Sequence, residues 1–345
     1  MAVETSHDAT VAKVQPSFEI PLVDFGRYLH GSEDEQKACV DEIMKGFTTS
    51  GFIYVQNSGL DPREAFQWSE KFFALPAEEK QKYPNHDSEA NRGYSGMGVE
   101  KVTNADLTKE ENIEELRKIF PDIKESLEIG SEAPWGYPEK PYENHFPEHL
   151  IPGFSKGIQD FYVNCDRLHK SLMSAIATGL GLKKSYFEPQ ISGGDHVLRL
   201  LHYPAVPQSL LTQEGAVRAG AHTDYGTVTL LFQDGSGGLQ ARTPSGQYVD
   251  VPPIAGAIVI NAGDLLQIWS NDMIKSTFHR VVSPPNAPTT DDGKFSARYS
   301  IAFFAHPDHD KVVEGIKECV TETRPLKYEP VLPLEWMVKR LQATY

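Results

Sequence analysis

From about residue 195 to residue 310, the sequence is a succession of short apolar or β-branched runs separated by Gly, Pro, Asn and Ser. The runs are HVLRLLHYP, TVTLLF, GLQART, QYVDVP, AIVINA, STFHRVV and RYSIAFFAH. Many short strands at close spacing, with turn-forming residues between them, are typical of a β-sandwich or β-barrel. This region therefore predicts the core of a mostly β fold, which the rest of the chain must cover.

Helical patterns flank this β-rich region on both sides. Apolar residues recur at helical spacing in 34–47, after Pro62, in 158–176 and in the C-terminal stretch PLEWMVKRLQATY. Since no linker-like segment separates these patterns from the strands, we expect a single domain over residues 18–345, with the helices packed on the β core. Residues 1–17 are polar and aperiodic, and we expect them to form a flexible tail.

Residues 84–157 contain a long irregular stretch that is rich in Pro, Gly, Asn and charged residues. A segment of this length without clear periodicity is often a lid or a binding loop. A solvated surface loop has the same composition, so the sequence leaves both interpretations open.

The charge and the cysteines exclude several classes of function. The formal net charge is −15 and the pI is about 5.3, which argues against a nucleic-acid partner because an acidic surface repels phosphate. The three cysteines are too few and too widely spaced for a disulfide framework or a zinc knuckle. With no secretory h-region and no apolar run near a membrane span, we expect a cytoplasmic protein that acts on a small molecule away from membranes. Its oligomeric state stays open.

The stretch GAHTDYGTVTLLFQD places His222 and Asp224 one residue apart in a predicted strand, so both side chains point to the same face. They form either a buried hydrogen-bonded pair or part of a metal site. A third candidate, His279, follows about 50 residues later in KSTFHRVV. Two histidines and one carboxylate are the facial triad of non-haem Fe(II) oxygenases, which leaves coordination positions open. The chain has 12 histidines, so the presence of two candidate ligands is not by itself evidence for a metal site. The order and spacing of His222, Asp224 and His279 are what support this interpretation.

A second motif lies in RYSIAFF, where Arg298 and Ser300 share one face of a predicted strand. A guanidinium and a hydroxyl side by side bind a carboxylate well. The alternative for Arg298 is an internal salt bridge.

Together, HTD at 222–224, His279 and RYS at 298–300 resemble the Fe(II)/2-oxoglutarate-dependent dioxygenases of the isopenicillin N synthase type. The segments IPLVDF, GFIYVQNSGL and FFALPAEEKQKY resemble the opening segments of that family, so the likeness spans roughly residues 18–345. It implies a double-stranded β-helix (jelly-roll) core over about 195–310, wrapped by helices. It also implies Fe(II), 2-oxoglutarate and O₂ as cofactors, with ascorbate as a supporting reductant.

The resemblance further implies roles for individual residues. The implied catalytic metal ligands are His222, Asp224 and His279. The distal carboxylate of 2-oxoglutarate is expected on Arg298 and Ser300, with help from the Tyr203 hydroxyl.

A narrower resemblance is to the fungal thymine dioxygenases (thymine 7-hydroxylases). It is carried by RGYS, DIKESLEIG, LRLLHYPAV, RAGAHTDYG, NAGDLLQIWSND and RLQATY, which are spread over the chain. One position departs from the wider family, whose strand often reads Asn-x-Tyr-Pro. Leu201 stands in place of the asparagine here, while Tyr203 is retained.

Strand alternation supplies candidates for substrate binding. If Tyr203 and the RYS motif point into the barrel, Arg199 and Phe304 do so too. Arg199 then needs an acceptor, which is either a substrate carbonyl or carboxylate or a nearby acidic side chain. Phe304 and Tyr225 flank the metal motifs and either sandwich a planar ring or belong to the core. Tyr94 in RGYS is a further candidate, for the roof of the pocket.

These features predict an oxygenase that converts 2-oxoglutarate to succinate and CO₂ and, through a ferryl species, hydroxylates a C–H group. The expected target is a methyl group on a small planar ring such as thymine. A fungal oxygenase of secondary metabolism, acting by hydroxylation, desaturation or ring expansion on a polyketide or alkaloid, is the second hypothesis. A relative independent of 2-oxoglutarate, a hydrolytic metalloenzyme and a catalytically silent binding protein are further alternatives.

Overall fold

The computed structural model describes residues 18–85, 91–99, 123–132, 143–211, 218–283 and 289–342. The elements of the N-terminal part are, in chain order, β1 Leu22–Asp24, α1 Gly26–His30, α2 Glu33–Thr49, β2 Phe52–Gln56, α3 Arg63–Phe73, α4 Ala77–Lys80, β3 Gly93–Ser95, β4 Glu125–Ile129 and α5 Phe154–Gly179.

The strand-rich part follows a short 3₁₀ turn at Glu188–Gln190. Its elements are β5 Val197–Tyr203, β6 Val206–Pro207, α6 Gln208–Leu211, β7 Ala219–His222, β8 Val228–Gln233, β9 Leu239–Arg242, β10 Tyr248–Asp250, β11 Ile258–Ala262, α7 Asp264–Trp269, β12 His279–Val281, β13 Lys294–Phe295, β14 Arg298–Phe304, a 3₁₀ turn at Lys317–Cys319 and α8 Pro333–Gln342.

The strands form a large sheet and a small sheet. The large sheet has the order β1-β2-β11-β8-β14-β5-β4-β3, and the small sheet has the order β10-β9-β12-β7. Neighbouring strands are antiparallel except for the β1–β2 pair, and β6 and β13 form a separate ribbon. The inner faces of the two sheets share one apolar cluster that includes Leu201, Leu239 and Val259. The predicted mostly β fold with a jelly-roll core is confirmed.

The helices cover the outer face of the large sheet. Helix α2 begins with a capping box, in which Ser32 and Glu35 each bond the backbone N–H of the other, and it buries an apolar stripe. The longest helix, α5, packs on the same face, where the ring of Phe161 meets that of Phe232 in β8 with centroids 5.2 Å apart. The core on this side runs from the N-terminal helices through the sheet, and Trp336 of α8 packs against it. A continuous core supports the predicted single domain, which stays a prediction.

Strand β5 shows how alternation separates the two cores. Leu198 and Leu200 pack on the helical side, whereas Leu201 and Tyr203 pack between the sheets. The predicted inward orientation of this strand and of β14 is confirmed, because Ala302 and Phe304 also belong to the inner cluster.

Two predictions concern segments that the structure covers in part or leaves out. The tail at 1–17 lies outside the described residues, as do 86–90, 100–122 and 133–142 of the predicted lid or loop. In the described ranges, no helix is both long and apolar enough to cross a membrane.

Candidate active site

The structure brings His222, Asp224 and His279 together at one end of the small sheet. His222 ends β7 and His279 begins β12, and the two are direct cross-strand partners. Asp224 Oδ1 lies 3.7 Å from the Nε2 atom of each histidine, and the two imidazole centroids are 4.4 Å apart. One donor atom from each residue lies within 4.8 Å of the others, so this set, which we call the triad, could hold a metal ion.

Backbone hydrogen bonds fix which nitrogen of each histidine faces the centre. His222 Nδ1 lies 2.9 Å from the Gly220 carbonyl oxygen, and His279 Nδ1 lies 3.1 Å from that of Thr277. A carbonyl oxygen only accepts, so Nδ1 carries the proton in both rings and each Nε2 keeps its lone pair. Metal-binding histidines are oriented in this way in proteins.

Two polar side chains hold the Asp224 carboxylate, and the sequence reasoning missed both. Thr229 Oγ1 and Asn261 Nδ2 donate to Asp224 Oδ2 over 2.5 and 2.7 Å. This leaves Oδ1 directed at the histidines. The only signal in the sequence is that Thr229 lies five residues after Asp224 in the adjoining strand, whereas Asn261 comes from β11.

The protonation states suit a divalent cation. Burial lowers the pKa of His222, and the neighbouring His279 ring lowers it further, so the imidazole is neutral. Burial alone would raise the pKa of Asp224, but the two histidines and the hydrogen bonds from Asn261 and Thr229 outweigh it and lower the pKa. Two imidazoles that present Nε2 and one carboxylate are donors that suit Fe(II) and occupy only half of an octahedron.

The loop that carries Asp224 packs directly on the end of β14. A Cβ atom at Gly226 would lie 2.0 Å from the Ala305 carbonyl oxygen, so only glycine fits there. The Thr227 N–H donates to this carbonyl over 2.8 Å, and the Asp264 N–H donates to the Asp224 carbonyl over 2.8 Å. The loop is therefore fixed between β14 and the start of α7.

Arg298, Ser300 and Tyr203 also meet between the sheets, and all three are buried. Arg298 Nη1 lies 3.0 Å from Ser300 Oγ, and the guanidinium carbon lies 4.8 Å from the centre of the Tyr203 ring. Its other donors reach the Gly237 carbonyl at 2.9 Å and Gln233 Oε1 at 3.5 Å. In the ranges that the structure covers, no carboxylate lies within 4.0 Å of this guanidinium, so the internal salt bridge is absent there.

Comparisons with known proteins agree with this geometry. Residues 194–307 match the 2OG-Fe(II) oxygenase superfamily. Residues 20–152 match a second family, whose description is "non-haem dioxygenase in morphine synthesis N-terminal". The 2-oxoglutarate-dependent dioxygenase frbA of Dothideomycetidae sp. is 36% identical over 94% of this chain and 97% of that protein. The chain belongs to the 2-oxoglutarate and Fe(II)-dependent oxygenase superfamily.

Two further relatives of this oxygenase differ in the substrates that their names imply. Proline hydroxylase buaE of Petromyces alliaceus is 34% identical over 95% of this chain and all of that protein. The crystal structure of full-length Neurospora crassa thymine 7-hydroxylase (T7H) with α-ketoglutarate and thymine is 44% identical, with a TM-score of 0.82. The match covers 96% of this chain and 98% of that one.

Arg199 of the oxygenase has an acidic partner on the inner face of the barrel. Its Nε lies 2.7 Å from Oε1 of Glu128, whose side chain has no exposed surface. Glu128 in β4 is the cross-strand partner of Arg199, so both side chains share one face. The acidic side chain considered as the alternative partner is therefore present. The guanidinium also lies over the Phe304 ring, 5.5 Å from its centre.

The remaining two aromatic candidates lie apart from this pair. Tyr225 is half-buried beneath the Arg340 guanidinium, with 4.8 Å between the guanidinium carbon and the ring centre. Tyr94 pairs with Leu127 on the helical side of the large sheet, and its hydroxyl donates to Glu125 over 2.6 Å. The structure thus places the candidate Tyr94 on the helical side, with its ring turned away from the barrel interior by alternation in β3.

A second group of two histidines and one aspartate lies beneath α5. We call Asp166, His169 and His196 the α5 cluster. All three are buried, and, as in the triad, one donor atom from each lies within 4.8 Å of the others. His196 Nδ1 accepts the His306 backbone N–H over 3.0 Å, so its Nε2 carries the proton and donates to Asp166 Oδ1 over 3.1 Å.

The other donor atoms of the α5 cluster are also engaged. Lys170 Nζ lies 2.7 Å from Asp166 Oδ2. Thr227 donates to the Ala305 carbonyl over 3.1 Å, so its oxygen accepts from His169 Nε2 over 3.0 Å. Within the described chain, His169 Nδ1 is the one ring nitrogen of the α5 cluster with no hydrogen-bond partner. The α5 cluster is thus a hydrogen-bonded network, and a single remaining nitrogen does not make a metal site.

Proposed function

We propose that this Fe(II)/2-oxoglutarate-dependent dioxygenase hydroxylates a methyl group on a small, neutral, planar ring such as thymine. In the proposal, the triad holds Fe(II), and Arg298 and Ser300 bind the distal carboxylate of 2-oxoglutarate beside the Tyr203 hydroxyl. The observation that carries the cosubstrate assignment is the burial of Arg298 with neutral acceptors only in the described chain.

The residues of the site have distinct parts in this reaction. When bound, iron with 2-oxoglutarate and O₂ supplies oxidation of an unactivated C–H bond, with release of succinate and CO₂. The triad histidines bind through Nε2 without losing a proton, since Nδ1 carries it in both. A buried guanidinium in a low-dielectric pocket binds a carboxylate through charge-assisted hydrogen bonds and fixes the orientation of the cosubstrate.

The Arg199–Glu128 pair supports a neutral substrate. Glu128 neutralises the Arg199 guanidinium, and because its own side chain is fully covered, the guanidinium is the part of the pair that a substrate can contact. A ring carbonyl complements the guanidinium donors, whereas the negative charge of Glu128 makes the carboxylate of an amino acid less favourable there. Phe304 beneath the guanidinium supplies an apolar surface for a planar ring.

The test is an incubation of the protein with Fe(II), ascorbate, O₂ and 2-oxoglutarate, with and without thymine, in which succinate and product mass are followed. We expect thymine to stimulate succinate formation and to gain one oxygen atom. Succinate formation at the same rate with and without thymine would refute thymine as the substrate but would remain consistent with a 2-oxoglutarate-dependent oxygenase. No succinate under any condition would refute the cosubstrate assignment of Arg298 and Ser300.

A second candidate is oxidation of a larger fungal metabolite by hydroxylation, desaturation or ring expansion. The observation that favours it is the similarity to fungal relatives such as frbA and the proline hydroxylase buaE, at 36% and 34% identity. Because buaE is named a proline hydroxylase, free L-proline is included as a second substrate in the same assay. Stimulation of succinate by proline and not by thymine would contradict the neutral-ring proposal. The candidate of a larger metabolite is tested by adding a fungal polyketide or alkaloid in place of thymine.

The substrate role of Arg199 is testable separately with Arg199→Gln. We expect this variant to raise the KM for thymine about 10-fold or more, because it removes a charged donor, and to change the KM for 2-oxoglutarate little. The matched control is Arg280→Gln, since Arg280 lies in β12 beside His279 and packs over the Tyr248 ring. An unchanged KM for thymine with a lower thermal stability would mean that Arg199 only neutralises Glu128.

A further inference from the structure

The C-terminal helix reaches the loop that carries the metal ligands through one side chain. Arg340, in the last turn of α8, donates from Nη2 to Thr223 Oγ1 over 2.8 Å and to the Thr223 carbonyl over 3.3 Å. Thr223 lies between His222 and Asp224 in the chain and is buried. Thr223 thus faces α8, while its neighbours His222 and Asp224 converge with His279 on the metal centre.

Arg340 is anchored at the same point by an acidic side chain. Its Nη2 lies 3.5 Å from Asp264 Oδ2, and the two side chains are 15% and 12% exposed. Asp264 begins α7, and its other oxygen accepts from Ser276 Oγ over 2.6 Å. Its backbone N–H bonds the Asp224 carbonyl over 2.8 Å, so the guanidinium joins α8 both to the ligand loop and to the start of α7, which itself holds that loop.

The same guanidinium also lies over the ring of Tyr225, the residue that follows Asp224. The centre of the Tyr225 ring is 4.8 Å from the Arg340 guanidinium carbon. Arg340 therefore contacts both Thr223 and Tyr225, the first through hydrogen bonds from Nη2 and the second through its guanidinium group over the ring. A lysine could supply the charge but not the guanidinium group over the ring.

We propose that Arg340 is a positioning residue that couples the docking of α8 to the order of the ligand loop, an inference that rests on the metal centre of the proposed function. A metal ion that fixes His222 and Asp224 also fixes Thr223 between them. This strengthens the contacts of Thr223 with Arg340 and stabilises α8 on the protein. By thermodynamic reciprocity, a docked α8 stabilises the loaded centre and the orientation of Tyr225.

The test is amide hydrogen exchange in peptides that span α8, measured on the full chain without metal and with Co(II) plus 2-oxoglutarate. Co(II) accepts the same nitrogen and oxygen ligands as Fe(II). Exchange in α8 should slow about fivefold or more on loading in the wild type, which is the low end of ordinary coupling between sites. Arg340→Gln should abolish this slowing. The control is Lys339→Gln, an exposed neighbour on the same helix, which should retain it.

A purely structural contact gives a different pattern. If Arg340 only anchored α8, exchange in Arg340→Gln would be faster with and without metal and the slowing on loading would persist, which would overturn the proposal. Equal exchange in the loaded and metal-free wild type would also overturn it. Arg340→Lys keeps the ion pair with Asp264, so α8 should dock as in the wild type while the slowing falls. Full slowing in this variant would contradict the role of the guanidinium group.

The metal dependence is checked by calorimetry on the same samples. If the wild type binds no Co(II), the assignment of the metal centre is refuted, and so is the coupling of α8 to it. If the wild type binds Co(II) but the exchange rates in α8 do not change on binding, only the proposed role of Arg340 is refuted.

Discussion

The triad and the α5 cluster both consist of two histidines and one aspartate at similar separations, yet the hydrogen bonds of their ring nitrogens differ. In the triad, both histidines donate from Nδ1 to the carbonyl two residues earlier, which leaves both Nε2 atoms free. In the α5 cluster, a backbone N–H, a threonine hydroxyl and the Asp166 carboxylate occupy three of the four ring nitrogens. The aspartates differ too, because Asp166 is already paired with Lys170.

This difference teaches that a metal site is recognised by which lone pairs remain free. Carbonyl oxygens only accept, so they force the proton onto Nδ1 and prepare Nε2 for a cation. The His306 N–H does the reverse for His196, since it takes the lone pair and forces the remaining proton towards Asp166. Residue type and distance alone do not separate the two sets.

The largest expected difference is between Asp224→Asn and Asp166→Asn. Asp224→Asn should weaken Co(II) binding by more than about 100-fold, beyond what is typical for changes around a metal ligand, and should abolish turnover. Asp166→Asn should bind Co(II) as the wild type does while losing about 1–3 kcal/mol of unfolding free energy, because its buried partners lose a charged acceptor. Calorimetry and urea denaturation measure both effects. Loss of metal binding in Asp166→Asn would break the comparison.

A smaller effect on Co(II) affinity is expected from substitutions of the side chains that hydrogen-bond to the triad or to the α5 cluster. Asn261→Ala removes a donor to Asp224 Oδ2 and should weaken Co(II) binding by about 10–100-fold. The matched control, Thr227→Val, removes the hydroxyl that bonds His169 and should leave Co(II) affinity unchanged. Equal metal affinity in Asn261→Ala and the wild type would show that Asp224 needs no support.

The smallest effect is the pH dependence of stability that the α5 cluster adds. Burial lowers the pKa of His169 well below its ordinary value, so the unfolded chain binds more protons than the native protein once the pH falls below about 6.5. The contribution of His169 is therefore complete above about pH 6.5 and is lost as the pH falls, by at most about 1.4 kcal/mol per pH unit. Urea denaturation of metal-free His169→Gln between pH 7.5 and 5 should show a shallower loss than the wild type. An identical slope would contradict this account.

Strand alternation made much of the barrel interior predictable. The spacing of two residues between Arg199, Leu201 and Tyr203 is enough to place them on one face, and the structure has them there. The triad and the Arg298–Ser300 pair were named from short motifs for the same reason. Local geometry determines where such side chains point once the strands are assigned.

Other parts of the site depend on register between distant strands and could not be predicted. Glu128 meets Arg199 only because β4 pairs with β5, and Asn261 meets Asp224 only because β11 pairs with β8. The side of the sheet on which Tyr94 lies could not be predicted, because a three-residue strand carries no periodic signal for which face is buried. Arg340 lies in a helix whose contact with the ligand loop is visible only in the folded protein.

The most direct test of the central claim is a crystal structure of the protein with Mn(II) and 2-oxoglutarate, in which anomalous scattering locates the metal. Mn(II) accepts the nitrogen and oxygen donors of this site. We predict one peak bounded by His222 Nε2, Asp224 Oδ1 and His279 Nε2, with the distal carboxylate of 2-oxoglutarate on Arg298. A peak at the α5 cluster with none at the triad, or a cosubstrate bound away from Arg298, would contradict the account.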